Sequence, residues 1–516
     1  MTPARPMTPA GRAGRAGRAG IVVVGNGMAG SRFVGELRDR DTATPVTVFG
    51  AETQRPYNRV LLSNVLAGVT RPDHISLVDA AWYASHGVDA RLGVEVTRVD
   101  RAAKTVHASD GTATPYETLV LATGSTAFIP PMPGLRDGLP KGALVFRTLD
   151  DCRRITELAA SARRAVVVGG GLLGIEAARG LMGRGLDVTV LHLAGHLMER
   201  QLDPAAGKVL ARTLAALGIG TRLQANVAGL RTAGGAVTGV ELALPDGGTE
   251  TIDTDLVILS CGVRPEVALA RDAGLAIGRA VIVDDELRSV TDPSVRAIGE
   301  CSEHRDEVYG LVAPAWEQAG VLAGLLAGTD PAARFTGARQ ITRLKAAGIE
   351  LASMGETHFG DDDDDVEVVR FSDASRGTYK KAVIRDGRLI GAILLGETSA
   401  AGTLTQLYDR AAPVPAERLG LLFPGAAGTS AQQAESPLRM PDAATVCQCN
   451  NVSKGEIRAC WQAGARTAGA VARATRAGTG CGGCRAAVEG ILAWLDDQDA
   501  VDVRDAVDLR DAVDVA

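Results

Sequence analysis

Four of the eight cysteines in the 516-residue chain fall in two tight pairs, Cys447 and Cys449 in "VCQCNNVSKGE" and Cys481 and Cys484 in "TGCGGCRAAVEG". Thirty-one residues separate Cys449 from Cys481. C-x-C does not readily close on itself, and a disulfide would be reduced in the cytoplasm, so the thiols read as metal ligands. Zinc and a 2Fe-2S cluster both accept four thiolates, but zinc more often takes C-x-x-C twice. The other groups with chemistry are two glycine turns. Gly25, Asn26, Gly27, Met28, Ala29 and Gly30 spell "GNGMAG", and Gly169, Gly171 and Gly174 lie in "GGGLLG". In such a turn the first glycine bends the chain, the second admits a pyrophosphate and the third packs helix on strand, while free helical N–H groups face the anion.

These residues need particular elements to position them. Each G-x-G-x-x-G directly follows a β-branched run and opens an amphipathic helix, and each is followed by another Val-rich strand, "PVTVFG" or "DVTVLH". Two dinucleotide folds are expected. "RQITRLKAAGIELASMGE" and "YKKAVIRDGRLIGAILLGE" alternate as strands, the latter with a hairpin signal at Asp386-Gly387, and predict a third, α+β domain. Around the cysteines, Ser453 and Glu456 have capping-box spacing, and "CRAAVEGILAWL" predicts a second helix whose N-terminus faces the metal. Gly478, Gly480, Gly482 and Gly483 would let backbone approach the sulfurs, and Cys460 is expected to be a buried helix residue.

The expected organisation is a disordered leader over 1–19, a first dinucleotide domain over 20–142 and 253–330, and a second over 143–252. The α+β domain covers 331–410, a Pro/Ala/Gly/Ser-rich linker 411–444, the cysteine module 445–496 and an acidic tail 497–516. The apolar fraction of 46% suffices for several cores, and the net charge of −6 argues against nucleic acid or an anionic membrane surface. No apolar run is long enough to span a membrane, and the start lacks a secretory h-region, so the cytoplasm is the expected compartment. Cys152, Cys261 and Cys301 stand apart, which disfavours a disulfide-reductase mechanism.

The segments "IVVVGNGMAG", "RPYNRVLLSNVLAG", "LVLATGS" and "VRAIGECSEHRDEVYGLVAPAWEQAG" resemble the FAD- and pyridine-nucleotide-dependent reductase superfamily. More narrowly, residues from about 20 to 400 are similar to the electron-transfer subunits of assimilatory nitrate reductases and to the flavin half of NADH-dependent nitrite reductase large subunits. The resemblance implies an α/β, glutathione-reductase-like fold with two Rossmann-like domains. It implies that the first turn holds FAD, with Glu52 on the ribose, Arg59 and Ser63 lining the flavin, and Thr123, Gly124, Gly299 and Glu300 closing over it. Glu300 replaces the usual aspartate, and Asn64 stands where rubredoxin and ferredoxin reductases often have lysine. The second turn, with Glu176 following, would hold NADH or NADPH, and Gly262 is a further cofactor-binding candidate. His192 stands where a ribose-binding acid is expected, and without an arginine cluster NADH is slightly favoured.

The cysteine spacing resembles the bacterioferritin-associated ferredoxin-like 2Fe-2S domain, a small helical fold. With FAD and that cluster upstream of no further four-cysteine set, the resemblance implies an NAD(P)H-dependent reductase that passes electrons to a separate terminal reductase subunit. A molybdopterin nitrate reductase is favoured as that partner. Two alternatives stay open: a ferredoxin/rubredoxin reductase or NADH oxidase, and a non-enzymatic flavoprotein scaffold with a structural zinc site. The third domain of such reductases often dimerises, so a homodimer is expected.

Overall fold

Both glycine turns follow strands with no solvent-facing side, as in a parallel sheet covered by helices: Gly20–Val24 is buried throughout, and so is Arg164–Val168 after its first residue. The computed structural model describes residues 20–135, 138–346, 348–360, 362–423, 440–447, 452–478, 484–485 and 487–499. The chain divides into two units, the first of residues up to 57 with 76–125 and 265–337, the second of 58–75, 126–264 and 338 onward. Among the described residues no helix is long and apolar enough to cross a membrane.

In the first unit the strands Val88–Leu92, Val46–Gly50, Gly20–Val24, Ala113–Leu121 and Val295–Ala297 lie side by side and parallel. Val24 and Ala297 both pair with Leu121, so three strand ends share one edge. The start of Ala113–Leu121 pairs antiparallel with Thr105–Ala108, and that strand with Val96–Asp100. Helices Met28–Arg40 and Val312–Ala327 pack together, and Trp316 Nε1 donates to the Met28 carbonyl at 3.1 Å.

The second unit holds a parallel sheet in the order Ile219–Arg222, Asp187–Leu191, Arg164–Val168, Leu256–Leu259, Ala143–Val145. The strand Leu256–Leu259, assigned from sequence to the first dinucleotide domain, belongs here. All four of its residues are apolar and buried, and it pairs on both sides, which suits an interior strand. Antiparallel strands Asn226–Ala233, Ala236–Ala243 and Thr249–Asp253 form a small separate sheet.

Residues 341–395 build a five-stranded antiparallel sheet, and its last hairpin turns through Asp386 and Gly387 at φ 51° and 68°. Positive φ at both positions matches the twist of the flanking strands. The expected linker from 411 begins later than the sequence indicated. Val414 N–H donates to Gly387 O, and Leu421 and Leu422 are buried in the core of this sheet. The two leucines account for the difference, since composition hid an apolar anchor. The leader, residues 424–439 and the tail from 500 lie outside the described residues.

Asp203 caps the helix Pro204–Ala216 by accepting from Ala206 N–H, while its second oxygen accepts from Tyr379 at 2.6 Å and Lys381 at 2.7 Å. Burial alone would raise this carboxyl, but Ala206 N–H, Lys381 and Tyr379 outweigh burial and hold it below the usual carboxylate range. Asp203→Asn should destabilise the protein by about 3 kcal/mol or more, because Lys381 stays buried without its counter-charge. A carboxyl depressed in the folded state stabilises above its unfolded pKa and loses that contribution as pH falls through the folded one. The gap in thermal midpoint between native and Asp203→Asn should therefore narrow as pH drops below about 4.

The terminal module has its own core. A ribbon of Thr445–Cys447 with Val452–Ser453 leads into helices Lys454–Gln462, Ala468–Thr475 and residues 487–499. The capping box forms as expected, with Ser453 Oγ accepting from Glu456 N–H and Glu456 Oε2 accepting from Ser453 N–H.

Candidate cofactor and cluster sites

In the first unit the chain leaves Gly20–Val24 through a turn only glycine can make. Gly25 has φ +111°, and a Cβ there would lie 2.1 Å from Ala122 O; a Cβ on Gly30 would lie 2.0 Å from Gly25 O. Gly27 offers no side chain to cap the helix Met28–Arg40, which leaves its first N–H groups for an anion. The shared strand edge gathers the other expected residues. Ala29 packs where a Cβ on Gly299 (φ +79°) would meet it at 3.0 Å. Ser125 donates to Glu300 at 2.6 Å, Thr123 Oγ1 donates to Glu266 O at 2.7 Å, and Gly124 O accepts from Glu266 N–H at 2.9 Å. Glu52 follows the neighbouring strand and accepts from Tyr57 at 2.7 Å.

Two buried donors test whether a dinucleotide fits. Asn26 Oδ1 accepts from Tyr83, and Gln318 Oε1 accepts from Gly299 N–H, yet Asn26 Nδ2 and Gln318 Nε2 have no partner among the described residues. Buried polar atoms are ordinarily satisfied, so orphans beside a phosphate-type turn fit a bound group. Gln318 was missed from sequence, because its reach to Gly299 spans 19 residues. Arg59 and Ser63 are placed in the second unit. Arg59 donates to Arg147 O at 3.3 Å, and the buried Ser63 hydroxyl has no partner among the described residues.

The second turn repeats the first. Gly169 has φ +118°, with a virtual Cβ 2.1 Å from Ser260 O, and that of Gly174 lies 1.9 Å from Gly169 O. A Cβ on Gly171, which starts the helix Leu172–Met182, would meet nothing, so its backbone is open to a ligand. Glu176 is buried in that helix, and Gly262, at φ +97°, accepts from Phe128 N–H. His192 lies under the turn with Nδ1 accepting from Gly170 N–H at 3.1 Å, and Nε2 faces Glu199 at 3.0 Å.

The isolated cysteines are inert by environment. Burial pushes the Cys152 and Cys261 thiols up to about 11, and burial also raises Cys301. Thiols held protonated are poor nucleophiles.

Of the paired cysteines, Cys449 and Cys481 lie outside the described residues, as do Gly480, Gly482 and Gly483. Cys447 and Cys484 are both buried in one core with Val452, Ile457, Trp461 and Val488. Gly478 N–H donates to Cys484 Sγ at 3.1 Å. An amide aimed at a buried sulfur fits a thiolate bound to a cluster. Trp461 Nε1 donates to Asp496 at 2.8 Å and ties the first helix to the last. Cys460, expected to be buried, is half-buried in helix Lys454–Gln462.

Comparison with known proteins follows these boundaries. Residues 19–319 match the pyridine nucleotide-disulphide oxidoreductase family, 341–411 the rubredoxin NAD+ reductase C-terminal domain and 445–494 the BFD-like 2Fe-2S binding domain. The NAD(P)H nitrite reductase of Bacillus subtilis (strain 168) is 37% identical over 92% of this chain and 57% of its own length. The assimilatory nitrate reductase electron transfer subunit of the same organism is 34% identical over 93% and 60%. The Klebsiella oxytoca nitrite reductase large subunit is 36% identical over 94% and 50%, so the chain spans half to three-fifths of these relatives. Among solved structures, a ferredoxin reductase from Rhodopseudomonas palustris has a TM-score of 0.69 at 24% identity, covering 76% of this chain and 95% of its own. Putidaredoxin reductase in its complex with putidaredoxin has a TM-score of 0.71 at 24% identity, covering 80% and 97%. These two likenesses speak to fold alone. The chain belongs to the pyridine nucleotide-disulphide oxidoreductase family, as an FAD-dependent NAD(P)H oxidoreductase that also carries a BFD-like 2Fe-2S domain.

Proposed function

We propose that this protein passes electrons from NAD(P)H through FAD and the 2Fe-2S cluster to a separate terminal reductase, with a molybdopterin nitrate reductase favoured over a nitrite reductase. The observation that carries the reading is the joining of two dinucleotide turns and a four-cysteine module in one chain. The nitrate choice is supported by the relative named as an assimilatory nitrate reductase electron transfer subunit. Bound FAD exchanges the two electrons of a hydride for single electrons, and a 2Fe-2S cluster carries one at a time.

The chain's own residues bind and orient. Gly25 to Gly30 and the helix start hold the flavin pyrophosphate, Glu52 the ribose, and Thr123, Gly124, Gly299 and Glu300 the ribityl side. Gly169, Gly171, Gly174, Glu176 and Gly262 hold the nucleotide. Cys447, Cys449, Cys481 and Cys484 hold the cluster. No side chain is assigned as acid or base, since hydride transfer depends on positioning. The domain limits stay as proposed from sequence apart from the two corrections above, the compartment is the cytoplasm, and the α+β domain is the candidate dimer face.

The test is reconstitution. NADH with this protein and a molybdopterin nitrate reductase should reduce nitrate, and neither protein should do so alone; no transfer to that subunit overturns the nitrate assignment. Undiminished rubredoxin or ferredoxin reduction after Cys481 and Cys484 are replaced would favour a generic carrier reductase. Zinc in place of iron and sulfide would favour the scaffold.

A further inference from the structure

The ribose-binding acid that dinucleotide folds place at the end of the second strand is absent here, because His192 occupies that position. A carboxylate nevertheless reaches the same place from the following loop. Met198 adopts φ +52°, a left-handed conformation rarely taken by a long side chain, and its N–H donates to Gly170 O at 3.0 Å. The loop is thus folded back and fastened to the glycine turn just before Glu199. Gly170 is fastened a second time, its N–H donating to His192 Nδ1 at 3.1 Å. That contact fixes the imidazole proton on Nε2, which donates to Glu199 Oε2 at 3.0 Å. The packing under the turn is tight. A Cβ on Gly170 would come within 2.5 Å of Leu197 and 2.8 Å of His192. Glu199 therefore stands two hydrogen bonds from the Gly170 amide of the glycine turn, with its side chain 41% exposed while that of His192 is 8% exposed.

We infer that Glu199, positioned by His192, is the residue that reads the adenosine ribose and selects NADH over NADPH. A carboxylate there accepts from ribose hydroxyls and repels a 2′-phosphate. The guanidinium on the neighbouring strand does not counter it, since Arg222 is engaged with Glu250 at 2.8 Å. Arg200, next in the chain and exposed, is the competing reader.

The inference rests on the donor site alone and is independent of the electron acceptor. The experiment is calorimetric titration of the oxidised, FAD-loaded protein with NAD+ and with NADP+, the flavin spectrum reporting the fold of each variant. Native protein should bind NAD+ about tenfold or more tighter than NADP+, and Glu199→Gln should narrow that ratio. Glu199→Arg should bring it to unity or invert it, because a guanidinium pairs with phosphate. His192→Ala should shift the ratio in the same direction by a smaller factor, as expected of a positioning residue. Equal or tighter binding of NADP+ by native protein, lost on Arg200→Ala, would overturn the inference. So would a ratio that Glu199→Gln and Glu199→Arg both leave within about twofold of native.

Discussion

Replacing Cys484 with alanine should lower reduction of the proposed terminal partner about 100-fold or more, while NADH-dependent bleaching of the flavin keeps its native rate. The split follows from where the sulfur sits. Cys484 is buried in the terminal core and receives an amide hydrogen bond from Gly478, far along the chain from either glycine turn. Losing one of the four proposed thiolate ligands should open the cluster, so iron and sulfide content and the visible absorbance beyond the flavin bands should fall together. Cys447→Ala should do the same. Retention of full iron with full transfer in either variant would remove these cysteines from the ligand set.

Gly25→Ala should yield protein with little or no FAD, and Gly169→Ala protein with normal FAD but nucleotide binding weakened about tenfold or more. Each substitution forces a side chain into a left-handed backbone and against a carbonyl 2.1 Å away, Ala122 O in one case and Ser260 O in the other. Strain of this kind costs about 1–3 kcal/mol before the clash is counted. The clash moves the turn, which is the proposed grip on the pyrophosphate. Flavin content after gel filtration and stopped-flow reduction by NADH measure the two outcomes separately. Full flavin occupancy in Gly25→Ala would show that the first turn does not hold the cofactor.

What could be read from the chain was whatever lies close in sequence. The glycine turns, the Asp386-Gly387 hairpin and the Ser453–Glu456 capping box all depend on residues within six positions of one another, and each stands where the residue pattern put it. Long-range partners were not legible. Ser125 finds Glu300 across 175 residues, and Asp203 finds Lys381 across 178. The strand Leu256–Leu259 went to the wrong dinucleotide domain because a short buried apolar run carries no mark of which sheet it joins. Glu199 is the instructive miss. It lies only seven residues from His192, but the left-handed bend at Met198 that brings it back has no signature in a residue type that normally avoids such backbone.

The two turns also bear on time. A Cβ on the third glycine of each would lie 2.0 and 1.9 Å from the first glycine's carbonyl oxygen, so the proposed grip on pyrophosphate is the same piece of geometry used twice. One copy must keep its guest through the life of the protein, whereas the other must release its guest every turnover. Residence time is therefore written outside the turns, in how many further groups each guest must let go. On the proposed flavin side the shared strand edge collects Thr123, Gly124, Gly299 and Glu300, while on the proposed nucleotide side Glu199 offers a single, 41% exposed carboxylate for a spent donor to let go.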